Sequence, residues 1–360
     1  MKKPVFLLLL LCAIFSQSCD LTIDTPQTPT LVTINAGAYI LNNGNYNSND
    51  ASIDYYNFST GAYFSDLYQN QNGVKLGDVA QDIIRFNDLL LISVYNSQVI
   101  QITDLVCKKL AEVKVENRSP RYFAKDTNFV YVSYYEGYVA KIDPYTQQVL
   151  AEVKVGNNPE QLVCVDNNKL FVANSGGMNH PNYDNTISVI DLNTFTVTDN
   201  IEVVINPTSL VKDSKGNVYC ASMGNYQDIP NTLQKIDSKT HAVTVIDDVV
   251  PTSMSMGKDD IMYIMSQVYD KDWNTETKFY KYDCRTDKID EEYTPPVNIR
   301  YPYGIFADPL EEIIAIPESD FVNKGNVHFM NSKSQFVSKV TSSKNPIKVL
   351  YYYDTIEVYE

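Results

Sequence analysis

Several things are scarce in this 360-residue chain, and each scarcity excludes something. Lys and Arg number 29 against 44 Asp and Glu, a formal charge of −15. That balance excludes a partner built on a phosphate backbone, so no nucleic acid is expected. There are three histidines, one tryptophan and six cysteines. No C-x2-C pair occurs, so no zinc site is expected. Gly-x-Ser-x-Gly, His-Glu-x-x-His, P-loop and EF-hand patterns are all missing, and no enzyme, cofactor or metal is expected. No apolar run after residue 15 is long enough for a transmembrane helix.

The one apolar run that does occur sets an address. Lys2 and Lys3 precede Val5 to Phe15, which has signal-peptide length and cannot span a bilayer. It ends in Ser16-Gln17-Ser18-Cys19, which is similar to a bacterial lipobox. The expected domains are a signal peptide (1–18), a flexible tether from lipidated Cys19 (19–33) and one large domain (34–360). The alternative is an ordinary secretory signal cut nearby. Acyl chains on Cys19 give stable membrane anchoring. Loss of Lys2 and Lys3 with the signal brings the charge to −17. Of the later cysteines, Cys164 and Cys220 lie in apolar runs and read as small buried hydrophobes. Cys107 and Cys284 fall in or beside turns.

What the chain has in abundance is repetition. A unit of Asp or Asn, two variable residues, then Thr, Ser or Cys starts at Asn57, Asp104, Asp143, Asp191, Asp237, Asp283 and Asn331, with steps of 39 to 48 residues. An Asp or Asn opening a turn accepts the amides that follow it, so each unit reads as a hairpin. Prolines at 120, 159, 207, 251, 302 and 346 each open an apolar run, with Gly77 to Gln81 in the equivalent place of the first full unit. Proline suits the first residue of a strand. β-Branched and aromatic runs such as Leu89–Tyr95 and Lys169–Asn174 lie between the markers. Four short strands per period predict an all-β, seven-bladed propeller. Residues near 36–69 supply only three strands. Asn345 to Tyr351 reads as the missing fourth, closing the ring by joining the N-terminal blade. Thr355 to Glu360 has strand composition and no assigned place.

In a propeller the loops at one end converge on a central funnel. Here those loops carry many of the 27 tyrosines, with asparagines beside them. The candidate ligand contacts are Asn43, Asn45, Tyr46, Tyr95, Arg118, Tyr134, Tyr135, Asn179, His180, Tyr183, Asn225, Tyr226, Trp273 and Tyr303. Arg121 and Tyr301 lie in the same connections. Tyrosine offers rigid area with a polar tip, and asparagine offers both a donor and an acceptor. The plainer account is that such residues serve turns and blade packing. His241 and His328 read as structural.

The stretches Asn42 to Tyr56 and Gly73 to Gln81 resemble the propeller lipoproteins of gut anaerobes known as surface-layer or YncE-like proteins. Lys169-Leu-Phe-Val-Ala-Asn-Ser-Gly176 and Thr186 to Thr194 resemble YVTN repeats. One branch of that family binds cobalamin at the cell surface and passes it to a TonB-dependent outer-membrane transporter. The resemblance therefore implies a lipoprotein of the outer membrane, exposed at the surface, with a corrinoid ligand. It implies no set of corrinoid contacts. The alternative is a glycan-binding or protein-interaction scaffold.

Overall fold

Each turn unit is built as its chemistry requires. In the computed structural model, which describes residues 30–166, 168–269, 275–290 and 293–358, Asp191 Oδ1 accepts the amides of Asn193 (2.9 Å) and Thr194 (3.0 Å). Asp104, Asp143, Asp237 and Asp283 do the same, as do Asn57 and Asn331. These bonds hold the carboxyls of Asp143, Asp191 and Asp237 below the usual range.

The turns join the third and fourth strands of seven four-stranded antiparallel sheets, the blades of a seven-bladed β-propeller. Blade 1 takes its innermost strand, Pro346–Val358, from the C-terminus, and then runs Thr30–Asn42, Ser52–Asn57 and Tyr63–Phe64. The expected closure is therefore present, and residues 355–358 belong to its C-terminal strand. Strand structure begins at Thr30, within the stretch expected to be tether. The inner strands of blades 2 to 7 are Ala80–Phe86, Pro120–Lys125, Pro159–Val165, Pro207–Lys212, Ser253–Met256 and Phe306–Ala307. Pro120, Pro159, Pro207 and Pro346 are first strand residues, where the absent N–H breaks no ladder bond.

The chain divides into two compact units. One is residues 35–353; the other is residues 1–34 with 354–360, described only as strand ends. Within the first, seven apolar clusters fill the spaces between successive blades, including one between blades 7 and 1. Because blades stack face to face, a middle strand such as Leu89–Val94 is buried throughout, and only Ser93 interrupts its apolar sequence. An outer strand such as Gln148–Lys154 alternates between half-buried and exposed. Cys107, Cys164, Cys220 and Cys284 are all free and buried, and burial pushes their thiols up to about 12.

Polar contacts lock the closing blade. Asp54, fully buried in Ser52–Asn57, accepts from Asn42 Nδ2 (2.8 Å), Tyr63 Oη (2.7 Å), the Asp66 amide (2.8 Å) and the Ser343 amide of blade 7 (3.0 Å). Asp66 in turn caps the short helix Leu67–Asn72, whose Tyr68 is buried against blade 2 and donates to Gln101 at 3.1 Å. No helix among the described residues is long and apolar enough to cross a membrane.

Candidate functional site

The inner strands surround a channel with a cavity of about 600 Å³. Its lining follows one register. The two residues after Pro120, Pro207, Pro251, Pro302 and Pro346, the second after Pro159, and Gln81 and Asp82 in blade 2 supply most of it: Arg121 and Tyr122, Gln161, Thr208 and Ser209, Thr252 and Ser253, Tyr303 and Gly304, Ile347 and Lys348. Consecutive strand residues ordinarily face opposite ways. In blades 2 to 5 the pairing register slips just there, between Ala80 and Asp82, Pro120 and Phe123, Pro159 and Leu162, and Pro207 and Ser209. A bulge at the strand start re-aims its side chains.

Arg121 and Glu160, at matching positions of blades 3 and 4, form an ion pair at the mouth. Arg121 Nη2 and Nε donate to Glu160 Oε2 at 2.5 and 3.1 Å, and Nη1 donates to Gln81 at 3.2 Å. The guanidinium stands over the rings of Tyr135 (4.7 Å), Tyr122 (5.4 Å) and Tyr95 (5.6 Å). Burial alone would ease its deprotonation; the Glu160 charge reverses that, and Arg121 stays cationic. Burial pushes the Glu160 carboxyl up, and Arg121 pulls against the shift without cancelling it. Deeper in, Asp82 pairs with Lys348 across the closure at 3.3 Å and accepts the Phe123 amide at 2.9 Å.

Around this pair the structure gathers part of the expected set. Tyr95 and Tyr135 pack edge to face at 6.1 Å, and Tyr226 meets Tyr183 at 6.2 Å. Tyr135 and Tyr226 are close enough to Glu160 for its charge to add to burial in raising their hydroxyls, Tyr135 to about 12. Tyr303 lies near Arg121 and Tyr122, with its ring against Phe321 at 5.2 Å. His180 Nδ1 sits 3.2 Å from Tyr183 Oη. Asn43 lines the mouth and donates to Ala80 O at 2.7 Å. Tyr46 is exposed, and the exposed Asn179 donates its amide to Gly176.

Other residues of the expected set have protein partners away from this pair. Tyr134 is fully buried in the core between blades 2 and 3, as the last residue of a middle strand that is buried throughout. Arg118 turns to the outer strand of blade 3, pairing with Glu152 at 3.1 Å over the Tyr138 ring. Asn225 spends its side chain on its own loop, accepting from Gln227 and Ile229 and donating to Asp228. Asn45 accepts from Asn345 across the closure at 3.0 Å. Cys19 and Trp273 lie outside the described residues. Glu160, Gln81, Tyr122, Asp82 and Lys348 were not expected at the site. Their signal was present in the sequence, as the positions behind each inner-strand marker. No group of three metal-ligating side chains occurs among the described residues.

Fold and channel together define a seven-bladed β-propeller with a polar, tyrosine-rimmed mouth. The chain belongs to the DUF5074 family, a domain of unknown function whose family model matches residues 36–360. Among solved structures it is similar to Kuenenia stuttgartiensis hydrazine synthase, at 16% identity and a TM-score of 0.61, covering 76% of this chain and 93% of that one. It is also similar to a chain of the mitotic checkpoint complex, at 10% identity and a TM-score of 0.57, covering 89% and 97%. These likenesses are of fold alone. No curated protein matches the chain.

Proposed function

We propose that this chain is a capture protein, anchored in the outer membrane through Cys19, that holds a corrinoid over the channel mouth for a TonB-dependent transporter. One observation carries the reading. Tyr95, Tyr135, Tyr226 and Tyr303, from four different blades, gather around the Arg121–Glu160 pair. Convergent aromatics with polar tips suit a large rigid ligand that is apolar in its ring and amide-bearing at its rim. The resemblance of the N-terminal stretches to surface propeller lipoproteins points the same way.

Calorimetric titration of the purified chain with cyanocobalamin tests this reading, with a one-to-one complex expected. A folded chain that gives no heat of binding would reject it. Mass spectrometry of the mature N-terminus tests the anchor: a diacylglycerol on Cys19 is expected, and an unmodified thiol refutes it.

A further inference from the structure

The residues two places after the inner-strand prolines, with Asp82 in blade 2, form a layer of the channel one step below Arg121. It runs from Lys348 in blade 1 to Gly304 in blade 7, and every member lines the cavity. The acceptors of this layer are spent on fastening strand to strand. Asp82 Oδ2 takes the Phe123 amide of blade 3 at 2.9 Å, and Oδ1 takes the Ile83 amide at 2.9 Å. Gln161 Oε1 takes the Leu210 amide of blade 5 at 3.1 Å and the Ser209 hydroxyl at 2.8 Å. A backbone amide only donates, so Leu210 fixes which end of the Gln161 side chain is the oxygen. Ser253 Oγ takes the Ile305 amide, just ahead of the inner strand of blade 7, at 3.3 Å.

The donors are left over. Gln161 Nε2, the Ser253 hydroxyl proton and the Tyr122 hydroxyl proton donate to nothing among the described residues. Tyr122 Oη accepts from Gln81 Nε2 at 3.1 Å, and burial keeps it protonated. Lys348 Nζ reaches one acceptor, Asp82 Oδ1 at 3.3 Å, and an ammonium has donors beyond that contact. These four groups stand on blades 1, 3, 4 and 6, spaced around the ring. Each carboxylate and amide oxygen of the layer, by contrast, already holds a backbone amide.

We propose that this layer binds a phosphodiester group. Donors arriving from several sides suit a tetrahedral oxyanion better than a planar carboxylate, which offers its oxygens in one plane. An anion that carried its own O–H would find every carboxylate and amide oxygen taken, which disfavours inorganic phosphate. Lys348 and Asp82 cancel, so a single negative charge is better tolerated than two. A phosphodiester is tetrahedral, free of O–H and singly charged. The acidic exterior does not forbid it, because charges beyond about 8 Å are largely screened at physiological ionic strength.

The site rests on this geometry; only its assignment to the nucleotide tail of a corrinoid rests on the capture reading. Ligand-observed NMR with dimethyl phosphate and the neutral trimethyl phosphate tests the site. The wild type should bind the charged diester about tenfold or more tightly than the neutral triester. Gln161→Glu keeps the oxygen that Leu210 needs and turns the donor into a carboxylate oxygen, so binding should be lost. Lys348→Met keeps the stem and removes the charge, with the same loss expected. The two changes lie in different blades, and should one variant melt early the other decides. Lys239→Met, on an exposed turn, should bind as the wild type does. Equal binding of both esters, binding of neither, or folded Gln161 and Lys348 variants that bind unchanged would overturn the proposal.

Titration with cyanocobalamin and with cobinamide, which lacks the phosphodiester and nucleotide, tests the assignment. Cyanocobalamin should bind about tenfold or more tightly, and Gln161→Glu should remove the difference. A chain that binds dimethyl phosphate and no corrinoid sinks the capture reading and upholds the site. A chain that binds both corrinoids equally upholds capture and overturns the assignment of the site to the corrinoid tail.

Discussion

The seven outer turns and the seven positions behind the inner-strand markers recur at fixed places in the same blades, yet they are written in opposite ways. At the turns the opening residue is Asp in five blades and Asn in two, and its carbonyl or carboxylate oxygen accepts the amides that follow. At the mouth the corresponding residues are Gln81, Arg121, Glu160, Thr208, Thr252, Tyr303 and Ile347. A backbone demand admits few side chains, so the turns repeat. A shared cavity wall makes no such demand, and its residues are left to contact one another and whatever enters. The difference separates what builds the ring from what the ring presents.

Cutting the ring tests the structural side with the largest effect. Truncation after Lys344 removes the inner strand of blade 1, exposes the edge of Thr30–Asn42 and deletes the Lys348–Asp82 pair. No cooperative melting transition is expected by circular dichroism. A truncated chain that melts like the full one would show that closure is dispensable. Next comes Asp54→Ala, which leaves buried donors from both sides of the closure unpaired. The expected loss is about 3–5 kcal/mol in urea unfolding, the range for breaking a buried charged network. A loss below about 1 kcal/mol would mean that water replaces the carboxylate.

The mouth should respond differently from the turns. Arg121→Ala leaves Glu160 buried without its partner and should cost about 3–5 kcal/mol of stability. Replacing both partners, Arg121→Met with Glu160→Met, removes the stranded charge and should restore most of that stability while ligand capture stays lost. A turn variant such as Asp104→Ala should do the reverse. It forfeits two backbone contacts, costs about 1 kcal/mol and leaves binding unchanged. If the double variant still bound the ligand, the mouth would be no more than another packing layer.

The same contrast explains which parts of the molecule could be read from sequence. Turn chemistry is local, so seven Asx units and their spacing were enough to give the blade count and the closure. The mouth depends on which way a side chain faces, and there sequence distance misleads. Tyr134 and Tyr135 are neighbours, but the strand ends at Tyr134, which lies in the core, and Tyr135 opens the turn that sets it beside Arg121. Arg118 and Arg121 lie three residues apart, and they pair with glutamates at opposite edges of the sheets, Glu152 outside and Glu160 inside. Bulges after the strand openings then suspend the alternation on which such a reading depends. Glu160 escaped notice for that reason: it reads as an ordinary strand residue until its blade is laid against the next.

The smallest effect lies at a turn that departs from its six counterparts. At Asp283 the Arg285 side chain folds back, with Nε on Oδ1 and Nη2 on Oδ2, both at 2.9 Å. Those bonds, more than the backbone amide, draw the carboxyl from 3.8 down to about 2. A carboxyl lowered in the folded state contributes stability at pH values above its unfolded value, and that contribution is lost as pH falls through the folded one. Asp283→Asn should therefore melt slightly below the wild type near neutral pH. The gap should narrow as pH falls from about 4 to about 2, and in high salt, because the pair is exposed. The check is a pair of melting curves at each pH. A gap that survives undiminished at about pH 2 would assign the effect to the neutral turn hydrogen bonds, and Asp283 would rejoin the other six turns.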